Sequence, residues 1–199
     1  MNYLAHTYLS GNNDDIKIGN FLGDWVKGCD YLKYDEDIRT GITMHRNIDS
    51  FTDQHPIVYK SAARFQLRYA KYSRVVIDIL YDHFLAKNWK DFSDVSLHDY
   101  VNQMHNLILN KIELLPDRLR NFLPEFMNER WIERYATLDG IRDVLNTMSK
   151  RTSLPNETHF AISVMEAHYQ EFRYEFIDFF GQIIEFVEGK FMMSIQSAS

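Results

Sequence analysis

The sequence predicts an all-α fold, a single compact multi-helix domain over residues 1–193 with a frayed tail at 194–199, and three observations carry that reading. Apolar residues recur at intervals of three and four through most of the chain, while the strict alternation of a half-buried strand is hard to find over any strand length. The four prolines fall between the helical stretches. No internal repeat, low-complexity block or Gly/Ser linker divides the chain into compositionally different halves.

Asp35 to Ser50 reads as a helix in which Ile38, Ile42, His45 and Asp49 form nearly one row, because each step of three or four returns to the same side. His45 and Asp49 therefore face one point. Pro56 suits the first turn of the next helix, where its missing N–H is harmless, and Ile57 to about Lys71 continues it. Ser73 is expected to cap a further helix that mixes Val76, Ile79, Leu80 and Phe84 with Asp78, Asp82 and His83. Ionisable groups on so apolar a surface need partners. Ser96 with Asp99 approximates a capping box for a helix from Leu97 to about Leu114, with Val101, Met104, Leu107 and Ile108 as its stripe. Pro116 and Pro124 predict a broken connector. Leu138 to Lys150 and about Glu157 to Phe180 read as helices, with Pro155 between them and Gly181 interrupting the last. Phe172, Phe176, Phe179 and Phe180 are assigned to packing.

Composition narrows the class. A chain of 199 residues can bury roughly 70% of its unfolded surface, and its 45% hydrophobic and 15% aromatic content argues against disorder. Cys29 is the only cysteine, so no intrachain disulfide can form and a cysteine-based zinc site would lack partners. The first ten residues lack a basic and then apolar leader, and no run of about 18 apolar residues follows, so the expected location is the cytoplasm, away from membrane. A net charge of −6 gives no general attraction to nucleic acid or anionic lipid. An acidic partner must meet a local patch. Arg64, Arg68, Lys71 and Arg74, spaced by four, three and three, would lie along one side of a helix and form that patch.

Three segments combine ligand-type side chains with apolar neighbours: Gly19 to Gly28, Gly41 to Asp49, and Asp78 to Leu85. Together they offer Asp24, His45, Asp49, Asp78, Asp82 and His83. Imidazole with carboxylate suits divalent first-row ions and points toward Mn²⁺, with Mg²⁺ or Fe²⁺ as alternatives. Asp78 and Asp82 recur at i and i+4 among Ile, Leu and Phe, where two partly buried carboxylates repel unless a cation or a shared proton separates them.

The same segments carry a resemblance. Asn2 to His6, Gly19-Asn20 with Asp24 and Gly28, Met44 to Asp49 and Asp82 to Leu85 resemble the acyl carrier protein phosphodiesterase pattern, as do Trp131 to Tyr135, Val144 to Asn146 and Glu166 to Tyr169. The resemblance implies a helical, HD-like, Mn²⁺-dependent enzyme that hydrolyses the phosphodiester between phosphopantetheine and the serine of holo-acyl carrier protein. On that basis Asp24, His45, Asp82 and His83 are expected to hold the metal, and Asp49 to orient His45 or the attacking water. Arg46 is expected to hold the phosphate and His6 to protonate the leaving group. Arg64, Arg68, Lys71 and Arg74 would dock the carrier. Two rivals stand beside this reading: a phosphohydrolase of the HD-like kind acting on a nucleotide or other small phosphodiester, and a non-catalytic helical carrier-binding protein.

Overall fold

Asn2 starts the first helix by accepting the Tyr3 N–H on its side chain, and α1 (Tyr3–Tyr8) follows. This is a computed structural model of the chain, and it describes residues 2–195. Asn13 caps α2 (Asp14–Leu22) by accepting from the Asp15 and Ile16 N–H groups, with Asp14 and Asp15 in the favourable first turn. The helix expected from Asp35 becomes α3 (Glu36–Gln54), one turn longer than read from the sequence. Pro56 opens α4 (Pro56–Ala63), where His55 Nδ1 accepts the Ile57 N–H.

The single helix expected from Ile57 to about Lys71 is not formed. After α4 the chain makes α5 (Gln66–Tyr69), one turn only, then a 3-10 turn at Ala70–Tyr72 entered through Ala70 at φ 45°. The break lets both Phe65 and Tyr69 reach the core, where they are fully buried and Phe65 stacks on Phe172 at 5.5 Å. Ser73 does not cap the next helix, α6 (Ser73–Lys87): its hydroxyl donates back to the Ala70 carbonyl at 2.7 Å. Val76, Ile77, Ile79, Leu80, Tyr81, Phe84 and Leu85 of α6 are all fully buried, and α1 and α4 pack against it. A helix apolar on nearly every side belongs at the centre of a bundle.

Ser96 caps α7 (Leu97–Asn110), accepting the Asp99 N–H and donating to the Asp99 carboxylate at 2.7 Å, as the sequence predicts. The connector expected at Pro116 and Pro124 is instead α8 (Asp117–Asn128), with Pro116 just outside the helix and Pro124 inside it. Leu119, Leu123 and Phe126 bury one face of α8, which offsets the bond that Pro124 removes. Arg130, left-handed at φ 46°, turns the chain into α9 (Trp131–Arg134). Then come α10 (Leu138–Arg151), α11 (Thr158–Ala167) and α12 (Tyr169–Phe191). The long helix expected from Glu157 breaks at His168 and runs straight through Gly181, around which Phe179, Phe180, Ile183 and Val187 keep burying one face. Nor does the tail fray at once: Ile195 is buried and its N–H donates to Glu188 Oε1 at 2.7 Å. The rest of the expected tail, 196–199, lies outside the described residues. There is no strand among the described residues.

Candidate metal and active site

The site starts with two glycines. Where α2 crosses α3, a Cβ on Gly19 would lie 2.1 Å from the Ile38 carbonyl oxygen, and one on Gly41 2.1 Å from that of Ile16. Only glycine lets the backbones approach so closely, and the approach brings Asn20 of α2 beside His45 of α3. Asn20 is fully buried. Its Nδ2 donates to the His6 carbonyl at 2.8 Å and to Ser10 Oγ at 2.9 Å, which leaves Oδ1 to accept from His6 Nδ1 at 2.8 Å. The Asn20 backbone carbonyl accepts from His45 Nδ1 at 2.9 Å. One residue thus sets both imidazoles in the Nδ1–H tautomer and directs both Nε2 lone pairs outward. The two rings stack with centroids 4.0 Å apart and 18° between planes. Gly23 completes the cradle, since a Cβ there would sit 2.0 Å from His45 Cγ.

Both Nε2 atoms meet Asp49. His6 Nε2 lies 3.2 Å from Asp49 Oδ1, while His45 Nε2 lies 3.1 Å from Asp49 Oδ2 and 3.4 Å from Asp24 Oδ1. His6 Nε2 is buried and makes no well-formed hydrogen bond, so its lone pair points at a carboxylate oxygen with nothing positive between. One ligand atom from each of His6, His45 and Asp49 falls within 4.8 Å of the others. Two imidazoles and the Asp49 carboxylate, with Asp24 beside His45, form a donor set that fits a divalent first-row ion once His45 gives up its proton.

The electrostatics tell the same story. Burial, aided by the neighbouring His45, pushes the His6 imidazole down to about 4. Burial also acts to lower His45, but hydrogen bonds and charge from Asp24 and Asp49 outweigh it and hold His45 up at about 9. For Asp49 burial works upward, yet His45 and His6 overcome it and keep the carboxylate well below its usual range; Asp24 is lowered by His45 against the same penalty. In the metal-free chain a proton on His45 therefore stands in the place of a cation.

Asp24 and Asp49 open into a cleft of about 750 Å³, which Lys71, Arg74, Arg118 and Arg151 also line. Their side chains are 61% and 44% exposed, so solvent or a ligand can reach the carboxylates.

Of the residues expected to hold the metal, the structure brings Asp24 and His45 together and adds His6 and Asp49 to them. It gives Asp82 and His83 other partners. Asp82, fully buried, accepts the Leu4 N–H at 2.9 Å, the Asn2 N–H at 3.3 Å and the Ala5 N–H at 3.4 Å, so it serves as an acceptor for the start of α1. Those three N–H groups give the Asp82 carboxyl partners without a cation shared with Asp78, although burial still pushes it up to about 7; Asp78 lines the cleft. His83 uses both ring nitrogens, Nδ1 toward the Tyr135 carbonyl at 2.7 Å and Nε2 toward the Tyr169 hydroxyl at 2.8 Å, as a brace between α6 and α12. Arg46, expected to hold the phosphate, is engaged here with the backbone: its Nη2 donates to the Val26 and Gly28 carbonyls at 3.1 and 3.0 Å and its guanidinium lies 4.9 Å from the Tyr31 ring, which pins the loop that carries Asp24.

The basic stripe is also rearranged, because its cations stand on α4's end, α5, a 3-10 turn and α6 rather than on one helix. Arg64 makes two 2.8 Å hydrogen bonds to Glu175, whose carboxylate also accepts from Ser61 at 2.6 Å. Arg74 pairs with Asp53 at 3.1 Å, and Arg68 stands 3.9 Å from Glu157. Arg64→Ala is expected to lower stability by about 1–3 kcal/mol, the loss of a buried pair discounted for its partial exposure, with KM for a protein substrate unchanged. Denaturant unfolding and steady-state kinetics check the two halves of that expectation.

The sequence marks Asn20 only as part of the family pattern and gives Ser10 and Gly23 no role, since what they do here is hold two imidazoles in place. Asn20→Ala is expected to weaken metal binding by about 10–100-fold, the usual effect of removing a group that orients a ligand. Calorimetric titration of the variant with Mn²⁺ measures it.

Comparison with known proteins identifies the family. The chain matches the acyl carrier protein phosphodiesterase family over residues 1–183. The acyl carrier protein phosphodiesterase of Yersinia enterocolitica is 35% identical across 96% of this chain and 99% of its own length. Those of Yersinia pestis and Serratia proteamaculans are 33% and 32% identical over the same shares. No solved structure matches the chain. With residues 1–183 matched by the family and 96% of its length by such relatives, the chain belongs to the acyl carrier protein phosphodiesterase family.

Proposed function

We propose that this chain is a divalent-metal-dependent phosphodiesterase that releases 4′-phosphopantetheine from holo-acyl carrier protein and leaves the apo-carrier. One observation supports this above the rest: two imidazoles locked in one tautomer and two carboxylates meet at the floor of an open cleft. His6, His45 and Asp49 would hold the ion, with Mn²⁺ the best match to mixed imidazole and carboxylate donors and Mg²⁺ or Fe²⁺ next. When bound, such an ion polarises a phosphoryl oxygen and makes a water more acidic. Asn20 keeps both lone pairs aimed at it. Asp24, the most exposed of the four, faces the cleft and is placed to orient the water and take its proton. A neutral, buried His6 suits ligation better than the proton donation first expected of it. Exposure of both carboxylates leaves room for substrate, which favours a catalytic site over a closed structural one.

Lys71 and Arg74, which line the cleft, and Arg68, one turn before Lys71 in the chain, remain as the cations that would meet an acidic carrier, with Arg64 tied to Glu175. No helix among the described residues is long and apolar enough to cross a membrane, and we place the reaction in the cytoplasm. The internal pairing of Arg64 and Arg74 gives some support to a second reading, hydrolysis of a small phosphodiester. Incubation of holo-carrier with the protein and Mn²⁺, followed by intact mass measurement, tests the first reading, with bis-p-nitrophenyl phosphate run in parallel. Conversion to apo-carrier is the expected result. Holo-carrier unchanged with Mn²⁺, Mg²⁺ and Fe²⁺ while the small diester is consumed would replace the first reading with the second.

A further inference from the structure

The cleft has a second half that the metal ligands do not use. Trp25 follows Asp24 directly, its ring lies 5.7 Å from that of Phe122 on α8, and Phe122 lies 5.5 Å from Trp131 at the start of α9. All three rings line the cleft, so an aromatic wall begins beside the carboxylates and continues along α8. Arg118 stands one turn before Phe122 and lines the same cleft.

The four cations around this space are not equivalent. Arg74 is paired with Asp53 and Arg151 with Glu125. Arg118 and Lys71 have no carboxylate partner among the described residues, and the Lys71 ammonium rests over the Tyr72 ring at 5.1 Å. A guanidinium left out of ion pairs beside a cavity is suited to bind phosphate oxygens through two parallel donors. A volume of about 750 Å³ falls in the range of small-molecule sites and takes a phosphate with a slender organic arm, but not a folded protein.

We propose that Arg118, helped by Lys71, binds the phosphate of the substrate and that Trp25, Phe122 and Trp131 seat the organic arm attached to it. The arm runs along α8 while the carrier stays outside the cleft. This rests on the phosphodiesterase reading and deepens it, because it says which part of the substrate enters and which residues receive it. It makes Arg118 and Phe122 binding residues with separate duties, one for charge and one for the arm. The released phosphate ester should therefore be a ligand in its own right.

Tryptophan fluorescence reads the site directly. The chain has three tryptophans; Trp25 and Trp131 line the cleft, whereas Trp89 is buried elsewhere and donates to the Val95 carbonyl. The protein is titrated with 4′-phosphopantetheine, with pantetheine and with inorganic phosphate, with Mn²⁺ and again with chelator. Saturable binding of 4′-phosphopantetheine is expected, tighter than that of pantetheine. Arg118→Gln should weaken the phosphorylated ligand at least tenfold and leave pantetheine unchanged, while Phe122→Leu should weaken both. Melting temperatures confirm that each variant is folded. Equal binding of 4′-phosphopantetheine by wild type and Arg118→Gln overturns the phosphate assignment. Absence of saturable binding in a protein that hydrolyses holo-carrier overturns the subsite and spares the phosphodiesterase reading. If the carrier is not hydrolysed but binding still depends on Arg118 and Phe122, the subsite stands and that reading falls.

Discussion

His45→Ala is expected to lower turnover of holo-carrier by roughly a thousandfold or more, since a divalent ion supplies several kcal/mol of transition-state stabilisation and each 1.4 kcal/mol is a factor of ten. The helical core should survive, because the lost ring packs on Gly23 and His6 at the edge of the site. Mn²⁺ binding followed by calorimetry and turnover followed by intact mass should fall together. A variant that binds Mn²⁺ as the wild type does would remove His45 from the ligand set.

The pH dependence follows from the same residue. With no metal, His45 holds its proton up to about 9 between Asp24 and Asp49, against an ordinary value of 6.5. An ion must displace that proton, so Mn²⁺ affinity should rise by about tenfold per pH unit below that value and level off above it. For the chelated protein the sign is the reverse. A histidine whose folded value is raised adds stability that is complete below the unfolded value of 6.5 and is lost as pH climbs through about 9. Chelated wild type should therefore weaken over that window, and His45→Ala should not.

The part of the site that lies on one helix was legible in the sequence. His45 and Asp49 are four residues apart on α3, and helical periodicity alone places them on one side. Asp24 came from its segment's resemblance to the family, and His6 was marked as functional but in a different role. What sequence could not show were the contacts between helices. Asp82 and His83 look like metal ligands because a charged pair among Ile, Leu and Phe needs partners, but the N-terminus of a distant helix and a tyrosine hydroxyl satisfy that need equally well. The basic stripe failed for a related reason. Spacing of three and four gives one face only while the helix continues, and burial of Phe65 and Tyr69 ends it. Asn20 stands in the family pattern, but its role was not legible because it lies in two histidines on two other helices.

Asp82→Ala decides between those two meanings of a buried carboxylate. Removing it leaves the buried N–H groups of Leu4 and Ala5, and the part-buried one of Asn2, without their acceptor. At about 1–3 kcal/mol for each of the two buried donors left unsatisfied, the expected loss is roughly 2–6 kcal/mol, at the upper end larger than most single substitutions produce. Because α1 carries His6, loosening its first turn should also weaken Mn²⁺ binding, but only as a consequence of lost stability. Direct ligation by Asp82 makes the opposite forecast: Mn²⁺ affinity and turnover collapse, while the metal-free protein is as stable as wild type or more so. Denaturant unfolding of the chelated variant separates the two, since no metal contributes to that measurement. A midpoint well below wild type supports the α1 anchor. A wild-type midpoint joined to lost Mn²⁺ binding returns Asp82 to the ion.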